Sequence, residues 1–193
     1  MGGVPPHIPF PSQAEQRDSD AQREVNRNLG DYTPEKRKVM AEQVYWNDLN
    51  EGDEIPTLVK NVSSQQLVMW AAASGDFYQI HYDERFAKNN QLEDIIVHGA
   101  LKCAFLGQYL HDWAGEQGKI RNYSVSYRGM DYTAQEILCK GTVTKKYEAD
   151  GDHVVDLEIW TETGEAADDG RPKNKPGIKT TPGSAKVILP ARG

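Results

Sequence analysis

The spacing of hydrophobic and polar residues changes along the chain and divides it into segments. Ser63 followed by Gln66 forms a capping-box pattern, and the apolar run LVMWAAA behind it predicts a short helix that stops at Gly75. Asp83 is typical of the N-cap of a second short helix. Apolar residues at helical spacing over residues 99–113 predict the longest helix. Its broad apolar face indicates burial on more than one side.

Beyond Gly118, apolar residues occur at every second position, which indicates strands. Tyr123, Val125 and Tyr127 alternate with polar residues, and three more strands are predicted in EILCKGTVTKKYEA, HVVDLEIWTET and SAKVILP. One further strand is expected before the first helix, after a turn signal at residues 50–53. One strand, then helices, then antiparallel strands form an α+β layout, in which a central helix lies against a curved antiparallel sheet.

Two segments do not fit this layout. Residues 1–38 are polar and lack a sustained apolar stripe, so we expect a flexible or partner-contacting N-terminal arm before a single domain over residues 39–193. Residues 164–179 are rich in glycine, proline and charge, which indicates a long excursion between the last two strands. Neither segment has a role that the sequence explains.

Composition and charge narrow the classes of function. The net charge is -7 and the pI is near 5.3, which argues against binding nucleic acid or an anionic membrane face. The sequence shows no secretory signal pattern and no apolar run long enough to span a bilayer. Cys103 and Cys139 lack metal-ligand spacing, so we expect reduced packing residues in a cytoplasmic protein.

The candidate chemistry lies after the first helix. Asp76 and His81 share one loop, where a carboxylate and an imidazole aimed at one water suit general acid–base catalysis. On residue types alone, a turn aspartate and a structural histidine are the more common explanation of such a pair. His98 and Gly99 open the longest helix, whose first amides suit a developing oxyanion. Alternatively, Gly99 only permits close packing and His98 only fills the adjacent space.

The segments SGDFYQIHYDERFA and IIVHGALKCAFLGQYL resemble the MaoC-like hydratases and dehydratases, the (R)-specific enoyl-CoA hydratase group of hot-dog proteins. The order of strands and helices agrees with a single hot-dog fold. The residues that carry the resemblance are, in chain order, Gly75, Asp76, His81, Asp83, Phe86, Ala87, His98 and Gly99.

The resemblance implies a mechanism. Asp76 and His81 hold and deprotonate a water that attacks carbon 3 of a trans-2-enoyl thioester, and the Gly99 amide stabilises the enolate-like oxygen. The reverse reaction dehydrates an (R)-3-hydroxyacyl thioester. The thioester is carried by coenzyme A or by acyl-carrier protein, and no metal or redox cofactor is required.

The chain departs from the family pattern beside the catalytic pair. Tyr78 and Gln79 replace a common Asn-Pro, and we expect them, with His98, to contact substrate and to influence acyl specificity. A serine that often supports the site is replaced by Gly107. Tyr78 or Gln108 is then a candidate for the missing hydrogen bond.

Two alternatives remain open at this stage, a hot-dog acyl thioesterase and an acyl-binding subunit of a heteromeric dehydratase. Exposed strand edges predict at least a dimer, either a homodimer or a heteromer with a related hot-dog subunit. The cations Lys102, Arg121 and Arg128 are candidates for the phosphates of coenzyme A, but a solvated surface position is the expectation for each.

Overall fold

The protein is described by a computed structural model over residues 43–166 and 170–193, so the predicted arm at 1–38 lies outside the described residues. No helix in these two ranges is long and apolar enough to span a bilayer. The helices and longer strands are, in chain order, β1 (Glu54–Asn61), α1 (Ser64–Ser74), α2 (Glu84–Asn89), α3 (Gly99–Ala114), β2 (Lys119–Val125), β3 (Gln135–Ala149), β4 (Asp152–Ala166) and β5 (Lys179–Ile188).

Local capping explains the helix boundaries that lead into the site. The Ser63 hydroxyl accepts a hydrogen bond from the Gln66 amide at 3.2 Å, and Gly75 ends α1 with a φ of 78°, a left-handed conformation that suits glycine. Asp83 caps α2 by accepting from the Phe86 amide at 2.9 Å. These contacts confirm the predicted boundaries, and they leave residues 75–83 as a short connection between two fixed helix ends.

The five strands form one antiparallel sheet in the order β1-β3-β4-β5-β2. Register shifts interrupt four strand pairings, for example between Val143 and Lys145, and such bulges bend a sheet. Because β2 and β3 are not neighbours, residues 126–134 must cross one end of the sheet. We call this connection the 126–134 segment.

Helix α3 provides the centre of the hydrophobic core. Leu101, Phe105, Tyr109 and Trp113, which lie at intervals of four within the predicted helix, are all buried. Leu106 and Leu110 are fully buried on another side of the helix, which confirms the prediction of burial on more than one side. The α+β layout, with a central helix against a curved antiparallel sheet, is therefore also confirmed.

The excursion is shorter than the sequence suggests, because β4 continues to Ala166 and β5 begins at Lys179. Residues 167–169 lie outside the described ranges. Asn174 accepts from Gln135 Nε2 at 2.8 Å and donates its amide N–H to Gln135 Oε1 at 3.0 Å. Its side chain donates to the Met130 carbonyl at 2.6 Å. The excursion is thereby fastened to the 126–134 segment.

We predict that Leu106→Ala lowers the free energy of unfolding by about 2 to 5 kcal/mol, because Leu106 is fully buried and the truncation leaves a cavity. His111→Ala, at an exposed position of the same helix, is the matched control and should change stability by less than about 0.5 kcal/mol. Urea denaturation measures both. Equal losses in the two variants would contradict the assigned core face.

Candidate active site

Asp76 lies at the surface directly after the glycine that ends α1. Its amide donates to the Ser74 hydroxyl at 3.3 Å, and its Oδ1 accepts from the Tyr78 amide at 3.4 Å. Among the described residues, its other carboxylate oxygen has no hydrogen-bond partner. Local hydrogen bonds therefore fix the Asp76 backbone and one carboxylate oxygen, while the other oxygen is available to a water or a ligand.

His81 is held in a defined tautomer. It ends a 3₁₀ turn over Gln79–His81 and is only 7% exposed. Its Nδ1 lies 2.7 Å from the Ile96 carbonyl, and because a carbonyl only accepts, Nδ1 carries the proton. The Ile96 amide in turn donates to the Ile80 carbonyl at 3.1 Å. The Nε2 of the neutral ring is consequently unprotonated, which is the form that a general base needs.

His98 is fully buried and contacts both members of the pair. Its ring stacks on the His81 ring with centroids 3.7 Å apart and planes at 21°. Its Nε2 donates to the Asp76 carbonyl at 3.3 Å, and its Nδ1 has no partner among the described residues. Burial, together with the neighbouring His81, lowers the pKa of His98, which keeps the ring neutral near neutral pH.

The structure thus brings together three groups that the sequence singled out. Donor atoms of Asp76, His81 and His98 all lie within 4.8 Å of one another. A tetrahedral metal ion needs ligand lone pairs that converge on one point. His98 Nε2 donates its proton to the Asp76 carbonyl, so this nitrogen has no lone pair to offer an ion.

Gly99 is the first residue of α3, and no side chain caps that end of the helix. Its amide therefore belongs to the group that lacks an intrahelical partner. A Cβ atom on Gly99 would lie 3.1 Å from the Tyr127 ring. The glycine allows this ring to pack against the helix start, a contact that the sequence did not reveal.

Tyr123 occupies the space beside Gly107, where the family often has serine. A Cβ atom on Gly107 would lie 2.8 Å from the Tyr123 hydroxyl, which donates to the Cys103 carbonyl at 3.4 Å. Burial, and then the Cys103 thiol, raise the pKa of Tyr123. Of the two expected substitutes, Gln108 is bonded instead to Lys60 and Asp112. The alternation of polar and apolar residues in β2 places Tyr123 on the inward side of the strand, and this was the only sign in the sequence that it could contact α3.

Tyr78 and Gln79 lie on the exposed connection between Asp76 and His81. The Tyr78 ring is 52% exposed and meets the His81 and Phe86 rings edge-on, at centroid distances of 6.4 and 5.9 Å. Both side chains are accessible from solvent beside Asp76 and His81. Their contact with substrate stays a prediction.

The surface position expected for Lys102 is wrong. Lys102 is buried, and its ammonium lies 2.7 Å from the Asp131 carboxylate. The error arises because α3 is enclosed on more than one side, so a polar residue on this helix need not face water. Arg121 and Arg128 are exposed, as expected.

A separate cavity of about 360 Å³ lies where β3 and β4 meet the excursion. Its lining includes Asn61, Gln135 and Arg171. None of the six predicted site residues lines it.

Comparison with known proteins places the chain in a family. The chain belongs to the family described as MaoC like domain, whose sequence model matches residues 50–163. This match confirms the resemblance drawn from residues 74–101. No curated protein compared with the chain matches it.

Solved structures confirm the hot-dog fold. The chain is similar to the (R)-hydratase from A. caviae involved in PHA biosynthesis, with 25% identity, a TM-score of 0.60, and coverage of 74% of this chain and 98% of the other. R-hydratase PhaJ1 from Pseudomonas aeruginosa has 16% identity, a TM-score of 0.65, and coverage of 78% and 88%. The ChsH1-ChsH2 complex from Mycobacterium tuberculosis has 17% identity, a TM-score of 0.59, and coverage of 72% and 98%.

We predict that His98 makes stability depend on pH. Because the folded-state pKa of His98 is lowered, the unfolded chain binds a proton below about pH 6.5 where the folded chain does not. Stability from this source is present above that pH and is lost as pH falls toward the folded-state pKa. The free energy of unfolding, measured by urea denaturation at several values between about pH 5 and pH 7, should rise less steeply with pH in His98→Gln than in the wild type. Equal slopes would contradict the prediction.

Proposed function

We propose that the protein hydrates trans-2-enoyl thioesters to (R)-3-hydroxyacyl thioesters, or catalyses the reverse dehydration. The observation that carries this proposal is the hydrogen bond from His81 Nδ1 to the Ile96 carbonyl. It leaves Nε2 unprotonated, on a ring that has a nitrogen within 4.8 Å of a carboxylate oxygen of Asp76. Membership of the MaoC-like family and similarity to an (R)-hydratase at 25% identity support the same reaction.

In the proposed hydration, Asp76 and His81 hold one water between them. His81 Nε2 removes a proton from this water as its oxygen bonds to carbon 3 of the enoyl group. Electron density moves to the thioester oxygen, which the Gly99 amide stabilises at the positive end of α3. The proton that His81 took from the water is then returned to carbon 2, so that one water is added in total and the pair regains its starting protonation state. The reverse sequence expels water from the hydroxyacyl thioester.

His98 is proposed to position the pair, in place of the substrate contact that the sequence suggested. Its full burial separates its ring from solvent, whereas its two contacts reach the Asp76 backbone and the His81 ring. A neutral ring in this place does not repel the imidazolium that forms when His81 takes a proton. Tyr78 and Gln79 are proposed to contact the substrate from the exposed side.

The thioester carrier is proposed to be coenzyme A or acyl-carrier protein. Assembly with a second hot-dog subunit, identical or related, is also proposed, because β1 and β2 are edge strands of the sheet and open edges favour pairing. One structural relative is the ChsH1-ChsH2 complex.

We predict that Asp76→Asn and His81→Asn each lower kcat/KM for enoyl-CoA hydration by at least about 100-fold, because each removes one acid–base group. The assay follows loss of the enoyl absorbance with crotonyl-CoA and longer enoyl-CoA substrates. His111→Asn and Asp112→Asn are matched controls on the outer side of α3 and should retain activity.

Full activity in both site variants would contradict the proposed mechanism. Release of free coenzyme A by the wild type would instead identify a thioesterase. Binding of enoyl-CoA without turnover would identify an acyl-binding subunit. Chiral analysis of the product adds a check, because an (S)-product contradicts the proposed reaction.

We predict that Gly99→Pro lowers kcat by about 100-fold or more relative to Gly99→Ala, because only proline removes the proposed oxyanion donor. Proline is compatible with the first position of a helix, and His98 already has the extended ψ of 131° that proline requires before it. Both variants add a Cβ atom next to Tyr127, so alanine controls for that contact. Equal kcat values would exclude the Gly99 amide from catalysis.

A further inference from the structure

Lys102 and Asp131 form a buried ion pair between α3 and the 126–134 segment. Their side chains are 2% and 1% exposed, and Lys102 Nζ lies 2.7 Å from Asp131 Oδ2. The same ammonium donates to the Gly129 carbonyl at 2.8 Å. Two contacts thus connect one lysine in the first part of the helix to one short stretch of the crossing segment.

The pair continues into the sheet through threonine hydroxyls. The Thr180 hydroxyl donates to Asp131 Oδ2 at 2.7 Å and lies 2.9 Å from the Thr161 hydroxyl. The amides of Arg128 and Gly129 both donate to the Thr180 carbonyl at 2.9 Å. The 126–134 segment is therefore held from two sides, by α3 and by β5.

The same segment is bonded to the backbone that carries the candidate site. The Val97 amide donates to the Asp131 carbonyl at 2.8 Å, and Ile96 forms an isolated bridge with Tyr132. Ile96 is also the residue whose carbonyl accepts from His81 Nδ1. A displacement of Asp131 would therefore move Val97 and Ile96, and through them His81.

Stability alone does not explain this ion pair. Removing two charges from water costs free energy that their attraction often fails to recover, and apolar residues of similar volume are frequently as stable or more stable. Asp131 Oδ1 is buried without a partner among the described residues. A lysine near the start of α3 also faces the positive end of the helix dipole. The pair fits a role in holding geometry better than a role in adding stability.

We propose that Lys102 and Asp131 are positioning residues, which set residues 96–99 and the Tyr127 ring in the arrangement that catalysis requires. The inference rests on the proposed hydration, because its kinetic consequence is measured on that reaction. The pair fixes where the Gly99 amide lies relative to His81. A displaced Gly99 amide would weaken stabilisation of the transition state more than binding of the substrate. We therefore expect kcat to change more than KM.

The test compares Lys102→Met, Asp131→Asn and the double variant. Each single variant leaves a buried group without its partner, so we expect a lower Tm together with a kcat reduced about 10-fold or more, at a KM within about threefold of wild type. The double variant leaves no buried charge, and it should regain most of the Tm while kcat stays low. The double variant Lys140→Met/Glu162→Gln is the control. It removes an ion pair with the same N–O distance of 2.7 Å, which joins β3 to β4, and it should leave kcat unchanged.

A native kcat in the Lys102→Met/Asp131→Asn variant would overturn the proposal. Amide exchange of the wild type, measured by NMR, provides a readout that needs neither activity nor folded variants. We expect the Val97, Arg128 and Gly129 amides to exchange at similar, slow rates as one unit. Fast exchange of Arg128 and Gly129 beside a protected Val97 would also overturn it. If the wild type lacks hydratase activity, the proposed function fails, and the exchange data still decide whether the pair holds the segment.

Discussion

Enclosure of α3 by the curved sheet constrains the positions of Gly99, His98 and His81 in the candidate site. The helix carries the fully buried Leu106 and Leu110, so it cannot shift or rotate without opening cavities on more than one side. Its first residue, Gly99, is therefore fixed relative to the sheet. The backbone that enters the helix is fixed with it, and this backbone contacts Ile80 and His81 on one side and Asp131 on the other.

Burial differs sharply among the three clustered groups, and the difference matters for chemistry. Asp76 is exposed, whereas His81 and His98 are buried and stacked. Water therefore reaches the cluster from the carboxylate side, while the imidazoles lie in a drier environment where hydrogen bonds are stronger and tautomers are better defined. If His81 took up a proton, the stacked ring of His98 would remain neutral, because burial lowers the pKa of His98.

Local features of the fold were predictable because neighbouring residues determine them. Ser63, Gly75 and Asp83 set helix boundaries through contacts within four residues. The five-residue spacing of Asp76 and His81 also placed both groups on one connection. The environment of Lys102 was mispredicted, because its partner Asp131 is 29 residues away. Tyr123 was missed as the neighbour of Gly107 for a similar reason. The alternation of β2 indicates which side chains point inward, but no local pattern indicates which helix residue they contact.

The sequence by itself determined the α+β layout, the helix ends and the residues that carry the family resemblance, because periodicity and capping are encoded over short distances. Only the tertiary structure decided the tautomer of His81, the burial of His98 and the pairing of Lys102 with Asp131. Each of these depends on a group from a distant segment, such as the Ile96 carbonyl. Such contacts form only when the sheet closes around α3, so the spacing of residues along the chain does not reveal them.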